Sequence, residues 1–237
     1  MTPEQSVQED LKRCVDDLLR ARRSVRAYRS EAISRRQVQE ILDAAATAPS
    51  NSNSQPWRVH VVTGEPKKRL SDALVTAFRE NTLPPSPHFP DRLPEAIAAR
   101  QDQFAGLYYG TLGIERADAP ARSRQTLRNF SFFGAPVGLL FSIDARLRPH
   151  SWLDLGLFIQ NAMIAAIARG IATCPQVSFA RFHQVIAAHL PMQPEEIIAC
   201  GMSMGYADLE APVNAMAMPR VAAVDFAHFE GFEDCAT

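Results

Sequence analysis

The chain reads as an α+β domain. Three runs rich in β-branched residues, WRVHVVTG (57–64), PVGLLFSID (136–144) and IIACGMSMGY (197–206), lie far apart in sequence, and segments of helical period stand before, between and after them. Between the second and third, SWLDLGLFIQNAMIAAIARG (151–170) is apolar on almost every face and closes at Gly170. That pattern predicts a helix buried on all sides, running through the middle of the protein.

From the N-terminus, Val7, Leu11, Val15, Leu18 and Leu19 recur at helical spacing. Ser34, followed three residues later by Gln37, has capping-box form ahead of Val38, Ile41 and Leu42. Two helices therefore flank RRSVRAY (22–28). On a helix, the four-residue spacing of Arg22 and Arg26 would put both guanidiniums on one face; fixed charge beside the Ser24 hydroxyl suits a phosphate.

The polar run APSNSNSQPW (48–57) follows, and its Ser, Asn and Pro residues favour a turn. Prolines crowd NTLPPSPHFPDRLP (81–94), which reads as a loop inside the domain. Residues 93–129 have a helical pattern interrupted by Gly106, Gly110, Gly113 and Pro120. The aromatic residues in and after that stretch, among them Phe104, Tyr108, Tyr109 and Phe130, either fill the core or line a pocket. Ser151 and Asp154 have the spacing of a helix cap, a structural role for Asp154, whereas Gln160 is equally suited to a structural or a binding role.

With 46% hydrophobic residues, 237 positions suffice for one sizeable core. A formal net charge of −1 with both signs scattered leaves no basic footprint for nucleic acid or an anionic membrane, and points to a small-molecule partner. Cys14, Cys174, Cys200 and Cys235 are widely spaced, without the pattern of a disulfide framework or zinc site, which fits a reducing cytoplasm. His60, His150, His183 and His189 show no metal-ligand spacing, and no metal is expected. The charged first residues lack the apolar core of a signal peptide, and no run is long enough to span a bilayer.

The order RRSVRAY, helix, APSNSNSQPWRVHVVTG closely resembles the nitroreductase family of FMN-dependent flavoproteins, in particular its nitrobenzoate-reductase-like subgroup. The resemblance continues through RNFSFFGAPVGLLFSID, SWLDLGLFIQNAMIAAIARGIATCPQ and GMSMGYADLEAPVNAMAMPRVAAVDFAHFEGF, nearly the whole chain. It implies a mixed central sheet surrounded by helices and an intertwined homodimer. Arg22 and Ser24 would hold the ribityl phosphate, Arg26 would reach the flavin's pyrimidine edge, and Arg23 lies adjacent. Pro49, Ser50, Asn51 and Asn53 would come from the second subunit, with Gln160 a further contact. Pro175, Gln176 and Val177 would lie against the isoalloxazine, and Arg220 would be the C-terminal phosphate ligand, with Ala217 where many relatives carry another basic residue.

The resemblance further implies one FMN-binding domain over residues 1–237, an inserted segment at 81–130 near the active site, and a C-terminal arm at 212–237 reaching the partner subunit. Tyr108, Tyr109 and Phe130 would then wall the acceptor pocket, with Gly106, Gly110 and Gly113 letting the segment bend. The implied activity is ping-pong transfer from NAD(P)H, through flavin N5, to nitroaromatic or quinone-like acceptors, with no protein side chain as catalyst. Cys174 is expected to be a buried apolar filler. A lid-bearing flavoenzyme with dehalogenase or flavin-consuming chemistry, and a flavin-binding sensor without turnover, are the alternatives. No dinucleotide fingerprint chooses between NADH and NADPH.

Overall fold

The computed structural model describes residues 2–80, 89–90 and 92–232. Most of the proline-rich 81–94 loop, and Cys235, lie outside the described residues. Helix α1 (Pro3–Ala21) starts from Thr2, whose side chain and that of Gln5 form a capping box. Helix α2 (Arg35–Ala45) begins as its sequence predicts: Ser34 Oγ accepts from the Gln37 N–H at 3.2 Å, and Gln37 Oε1 accepts from the Ser34 N–H at 3.0 Å.

Strand β1 (Arg58–Thr63) leads into α3 (Gly64–Glu80), and α4 (Glu95–Thr111) and α5 (Ala119–Phe130) follow. Gly106 and Gly110 do not interrupt α4; the break comes at Gly113, whose φ of +64° is open to glycine at no steric cost, while Pro120 sits in the first turn of α5. Strand β2 (Val137–Asp144), α6 (Pro149–Ile167), β3 (Ala172–Gln176), α7 (His183–Ala187), β4 (Glu196–Gly205) and α8 (Pro212–Ala215) complete the order.

The strands pair as β1-β2-β4-β3, and every ladder is antiparallel. The expected mixed sheet is thus corrected. Among the described residues, parallel pairing is confined to a single bridge between Ser24 and Thr173, because residues 22–27 run beside β3 too briefly to form a strand.

Helices cover both faces. Along β2 the side chains alternate: Leu139, Phe141 and Ile143 join the cluster containing Val38 and Ile41 of α2 and Leu155, Phe158 and Ala162 of α6. Leu140 faces the other way, toward Leu70 and Leu74 of α3 and a set of phenylalanines, Phe130, Phe132, Phe179 and Phe182. Two of these rings lie on strand glycines. A Cβ at Gly138 would come within 2.5 Å of the Phe132 ring, and one at Gly201 within 2.6 Å of Phe179. Phe132 is fully buried at φ +54°, so it has nowhere to retreat. Gly138→Ala is therefore expected to lose about 1–3 kcal/mol of stability through overpacking; an unchanged thermal midpoint would show that the ring can shift.

Two apolar stripes look outward. Val7, Leu11, Val15 and Leu19 of α1 are each more than 50% exposed, so the helical spacing is real but its face finds no cover within the chain. Helix α6 is not buried on all sides either, since Leu153 is 66% exposed and Leu157 38%. Its N-cap is Arg148, which removes Ser151–Asp154 from any capping role. Gly170, at φ +69°, does end it.

The 196 end of β4 holds a buried carboxylate. Glu196, 3% exposed, accepts from Ser142 Oγ at 2.6 Å, the Gln193 N–H at 3.0 Å and Arg58 Nη1 at 3.0 Å, and its Oε2 lies 2.8 Å from His60 Nε2. Burial by itself would raise this carboxyl, but the hydrogen bonds outweigh it and hold the group down at about 2.

Candidate functional site

Helix α1 stops at Ala21, and Arg22, its C-cap, is already extended (φ −64°, ψ 117°). The helical-face argument for Arg22 and Arg26 is corrected accordingly. What aligns them is the two-residue period of extended chain: Val25 and Ala27 turn into the core, while Arg22, Ser24 and Arg26 turn the other way. The segment is anchored by the Ser24–Thr173 bridge and by the Val25 N–H, which donates to Thr173 O at 3.0 Å.

Asn214, from α8, fixes the other edge. Its Oδ1 accepts from the Arg26 N–H at 2.8 Å, its Nδ2 donates to Ala27 O and Asp208 O at 2.8 Å each, and its carbonyl accepts from Arg23 Nη1 at 2.7 Å. Sequence reasoning missed this residue, because nothing local in APVNAMAMP marks an asparagine whose partners lie almost 190 positions away.

These anchors create a cleft of about 390 Å³ lined by Arg22, Arg23, Ser24, Arg26 and Arg220, with Leu19, Met216 and Met218 among its apolar residues. Five predicted site residues from opposite ends of the chain thus meet. Among the described residues, none of the four arginines forms an ion pair with a carboxylate. Arg22 is held below the usual guanidinium range first by burial and then by the neighbouring charge of Arg220, partly offset by Cys174. A concentrated positive charge lacking a counter-ion, with a hydroxyl beside it, fits a phosphate.

The expected Pro175–Gln176–Val177 turn is corrected: Pro175 and Gln176 are the last two residues of β3, paired with Met202 and Gly201 of β4, and Val177 follows the strand. This segment begins two residues past Thr173, about 7 Å along the strand. The Gln176 side chain is not free for a ligand: its Nε2 donates to Asn129 O at 2.7 Å, and its Oε1 accepts from Ser203 Oγ. Val177 stands 50% exposed beside it. Cys174 is 1% exposed, and burial pushes its thiol up, which suits the expected filler role.

The polar run is held at both ends by α6. The Asn51 N–H donates to the buried Asp154 Oδ2 at 3.2 Å, and Trp57 stacks on Phe158 with centroids 4.7 Å apart. Between them Ser52, Asn53 and Gln55 adopt φ of +51°, +57° and +45°, strained backbone of the kind that collects at ligand-binding loops. Pro49, Asn51 and Asn53 are exposed, and Ser50 Oγ accepts from the Gln55 N–H at 3.0 Å. The run does not approach its own chain's arginine cleft. Arg22 and Arg23 share a crevice with Met163 and Ile167 of α6, and from Asp154 to Ile167 the helix rises about 20 Å. Gln160 lies half-buried between, on the outward side of α6.

The proposed wall residues separate. Arg26 rests over the rings of Phe104 and Tyr108, at 5.4 and 5.1 Å. Tyr108 is 7% exposed, and its hydroxyl accepts from Gln125 Nε2 at 2.6 Å, so it braces Arg26 instead of forming an open wall. Tyr109 borders a second cleft between α4 and α5. Phe130 is 2% exposed in the core, its ring 4.6 Å from that of Phe182, and so lines neither cleft. Its place in the acceptor pocket is corrected: the aromatic spacing that suggested a wall is that of core packing.

Comparison with known proteins gives one consistent result. The description of the nitroreductase family matches residues 19–206. The chain is 49% identical to a 4-nitrobenzoate reductase of Pseudomonas putida, over 92% of this chain and 96% of that one. It is 41% identical to a nitrobenzene nitroreductase of Ectopseudomonas oleovorans, over 91% and 96%. Its structure is similar to that of the FMN-dependent nitroreductase NfnB from Mycobacterium smegmatis in complex with NADPH, with a TM-score of 0.88 and 31% identity, covering 93% of this chain and all of that one.

Proposed function

This chain belongs to the nitroreductase family, and from that premise we propose that it is an FMN-dependent NAD(P)H oxidoreductase reducing nitroaromatic or quinone-like acceptors. The observation that carries the reading is the convergence of Arg22, Arg23, Ser24, Arg26 and Arg220 on one cleft without carboxylate partners among the described residues. When bound, FMN supplies the redox chemistry, taking a hydride from the nicotinamide and giving an electron pair to the acceptor.

The chain's own residues bind and orient. Arg22, Ser24 and Arg220 hold the phosphate end, with Arg23 beside them. Arg26, braced by Phe104 and Tyr108, meets the ring, and the Pro175–Val177 segment lies along it. With the polar run some 20 Å along α6 from its own cleft, Pro49, Ser50, Asn51 and Asn53 serve the cleft of a second copy. The exposed stripes of α1 and α6 support a homodimer, because such apolar faces are costly to leave in water. Residues 212–232, with Phe226, Phe229 and Phe232 all more than 60% exposed, form an arm for the same partner, and Gln160 sits on the shared face of α6. Free Cys14, Cys174 and Cys200 support a cytoplasmic location; among the described residues no helix is long and apolar enough to cross a membrane.

Purification should give a yellow dimer with one FMN per chain. Initial rates with nicotinamide and nitroaromatic varied together should give parallel lines, since one exposed ring face serves two bulky ligands in turn. Intersecting lines would mean that both bind at once. Bleaching by NADPH and NADH without acceptor turnover would leave a flavin-binding protein in place of an enzyme.

A further inference from the structure

We propose that the cleft between α4 and α5 is a carboxylate-recognition subsite for single-ring aromatic acceptors, a proposal that rests on the reductase reading above. Arg122 lies with its Cζ 4.5 Å from the Tyr109 ring centroid, and its Nη1 donates to Arg116 O at 3.2 Å. Neither Arg122 nor Arg116 belongs to an ion pair among the described residues. A guanidinium stacked on a ring and spending one N–H on a carbonyl keeps a flat fork of donors, the geometry that receives a carboxylate through two parallel bonds.

The rest of the cleft selects the ligand's shape. Its volume is about 250 Å³, below the range for drug-sized ligands and suited to one substituted ring. Gly106 and Gly110, one helical turn apart on α4, line it, and no atom lies within 4 Å of where a Cβ would stand at either. Their bare backbone leaves a surface against which a planar ring can lie, beside Tyr109. Asp102, one turn earlier on the same face, also lines the cleft. Its charge disfavours an anion beside it, which leaves Arg122 and Arg116 as the groups that attract a carboxylate.

The cleft shares no lining residue with the arginine cleft but is linked to it by packed side chains. Tyr109 packs on Tyr108 at a tilt of 58° with centroids 5.2 Å apart, and Tyr108 lies under Arg26, so a chain of side-chain contacts runs from Arg122 to Arg26. An acceptor gripped by its carboxylate leaves its para substituent as the end farthest from Arg122, the end to be reduced. The phosphate of a nicotinamide nucleotide shares the anionic chemistry, and the test separates the two.

Benzoate, which carries nothing to reduce, is titrated calorimetrically into FMN-loaded protein, and 4-nitrobenzoate is compared with nitrobenzene in turnover. Arg122→Gln and Arg116→Gln should each weaken benzoate binding and lower the nitrobenzoate-to-nitrobenzene ratio of kcat/KM by about 10- to 100-fold, the range for a lost charge-assisted pair. Arg122→Lys, which keeps the charge without the planar fork, should recover part of the loss. Arg124→Gln, on α5 but not lining the cleft, should keep the parent ratio. FMN content checks that each variant is folded. The proposal is overturned if benzoate does not bind the parent, if both acceptors fall in proportion, or if the variants slow flavin reduction by NADPH but not by NADH, which would assign the arginines to the nucleotide. Absence of turnover with every acceptor would end the reductase reading, while the benzoate titration would still decide the subsite.

Discussion

A protein carrying Arg22→Ala and Arg220→Ala together is expected to leave the column colourless. Each arginine offers charge-assisted hydrogen bonds to the proposed phosphate, worth about 1.5–3 kcal/mol apiece. Losing both would raise the FMN dissociation constant by about two to four orders of magnitude, although two groups on one phosphate need not act additively. The apoprotein should fold at least as well as the parent, because Arg220 is among the causes that depress Arg22, and removing one charge relieves repulsion across the cleft. FMN affinity measured by fluorescence quenching, with the thermal midpoint of the apoprotein, separates the two effects. Stoichiometric, tightly held FMN in the double variant would show that the phosphate lies elsewhere.

Glu196→Ala should be the most destabilising single change considered. It removes the buried acceptor shared by Ser142 Oγ, the Gln193 N–H and His60, while the half-exposed Arg58 keeps access to water; each buried group left unsatisfied costs about 1–3 kcal/mol. Glu196→Gln keeps the shape and tests the charge. The folded carboxyl titrates at about 2, below its ordinary 4.5, so its contribution is complete above about pH 4.5 and disappears as pH falls toward 2. Asp144, held low at about 2 chiefly by the side-chain hydrogen bond from Arg146, adds its own acid dependence. The Gln variant should therefore show a shallower loss of stability between pH 4.5 and 2, not a flat one. Denaturant midpoints across that range decide it, and parallel curves for parent and Gln variant would mean that the cluster does not titrate with folding.

What could be read before the structure was local. The Ser34–Gln37 cap, three of the four strands and the Gly170 stop each depend on residues within a turn or a strand of one another, and each is where the pattern puts it. The composition of residues 22–28 points to their chemistry but not to their conformation: a cluster of arginines looks the same in helix and in extended chain until Val25 and Ala27 are seen to alternate inward. Asn214 and Glu196 were invisible for a different reason. Their partners lie at 23, 26 and 27 in one case and largely at 58, 60 and 142 in the other, distances over which no periodicity operates. The outward turn of α1 and α6 follows from what the rest of the chain leaves uncovered, which spacing within a helix cannot express.

The cleft that joins Arg22 to Arg220 also sets an order of events in the life of the chain. At about 5–20 residues per second, synthesis of the intervening stretch takes on the order of 10–40 s, during which the first arginines have emerged and the last has not. No nascent chain owns this cleft. Cofactor capture at the proposed phosphate site is consequently the work of a finished polypeptide, since a chain that stops short of its final strand and α8 carries three of the four cleft arginines and lacks Arg220.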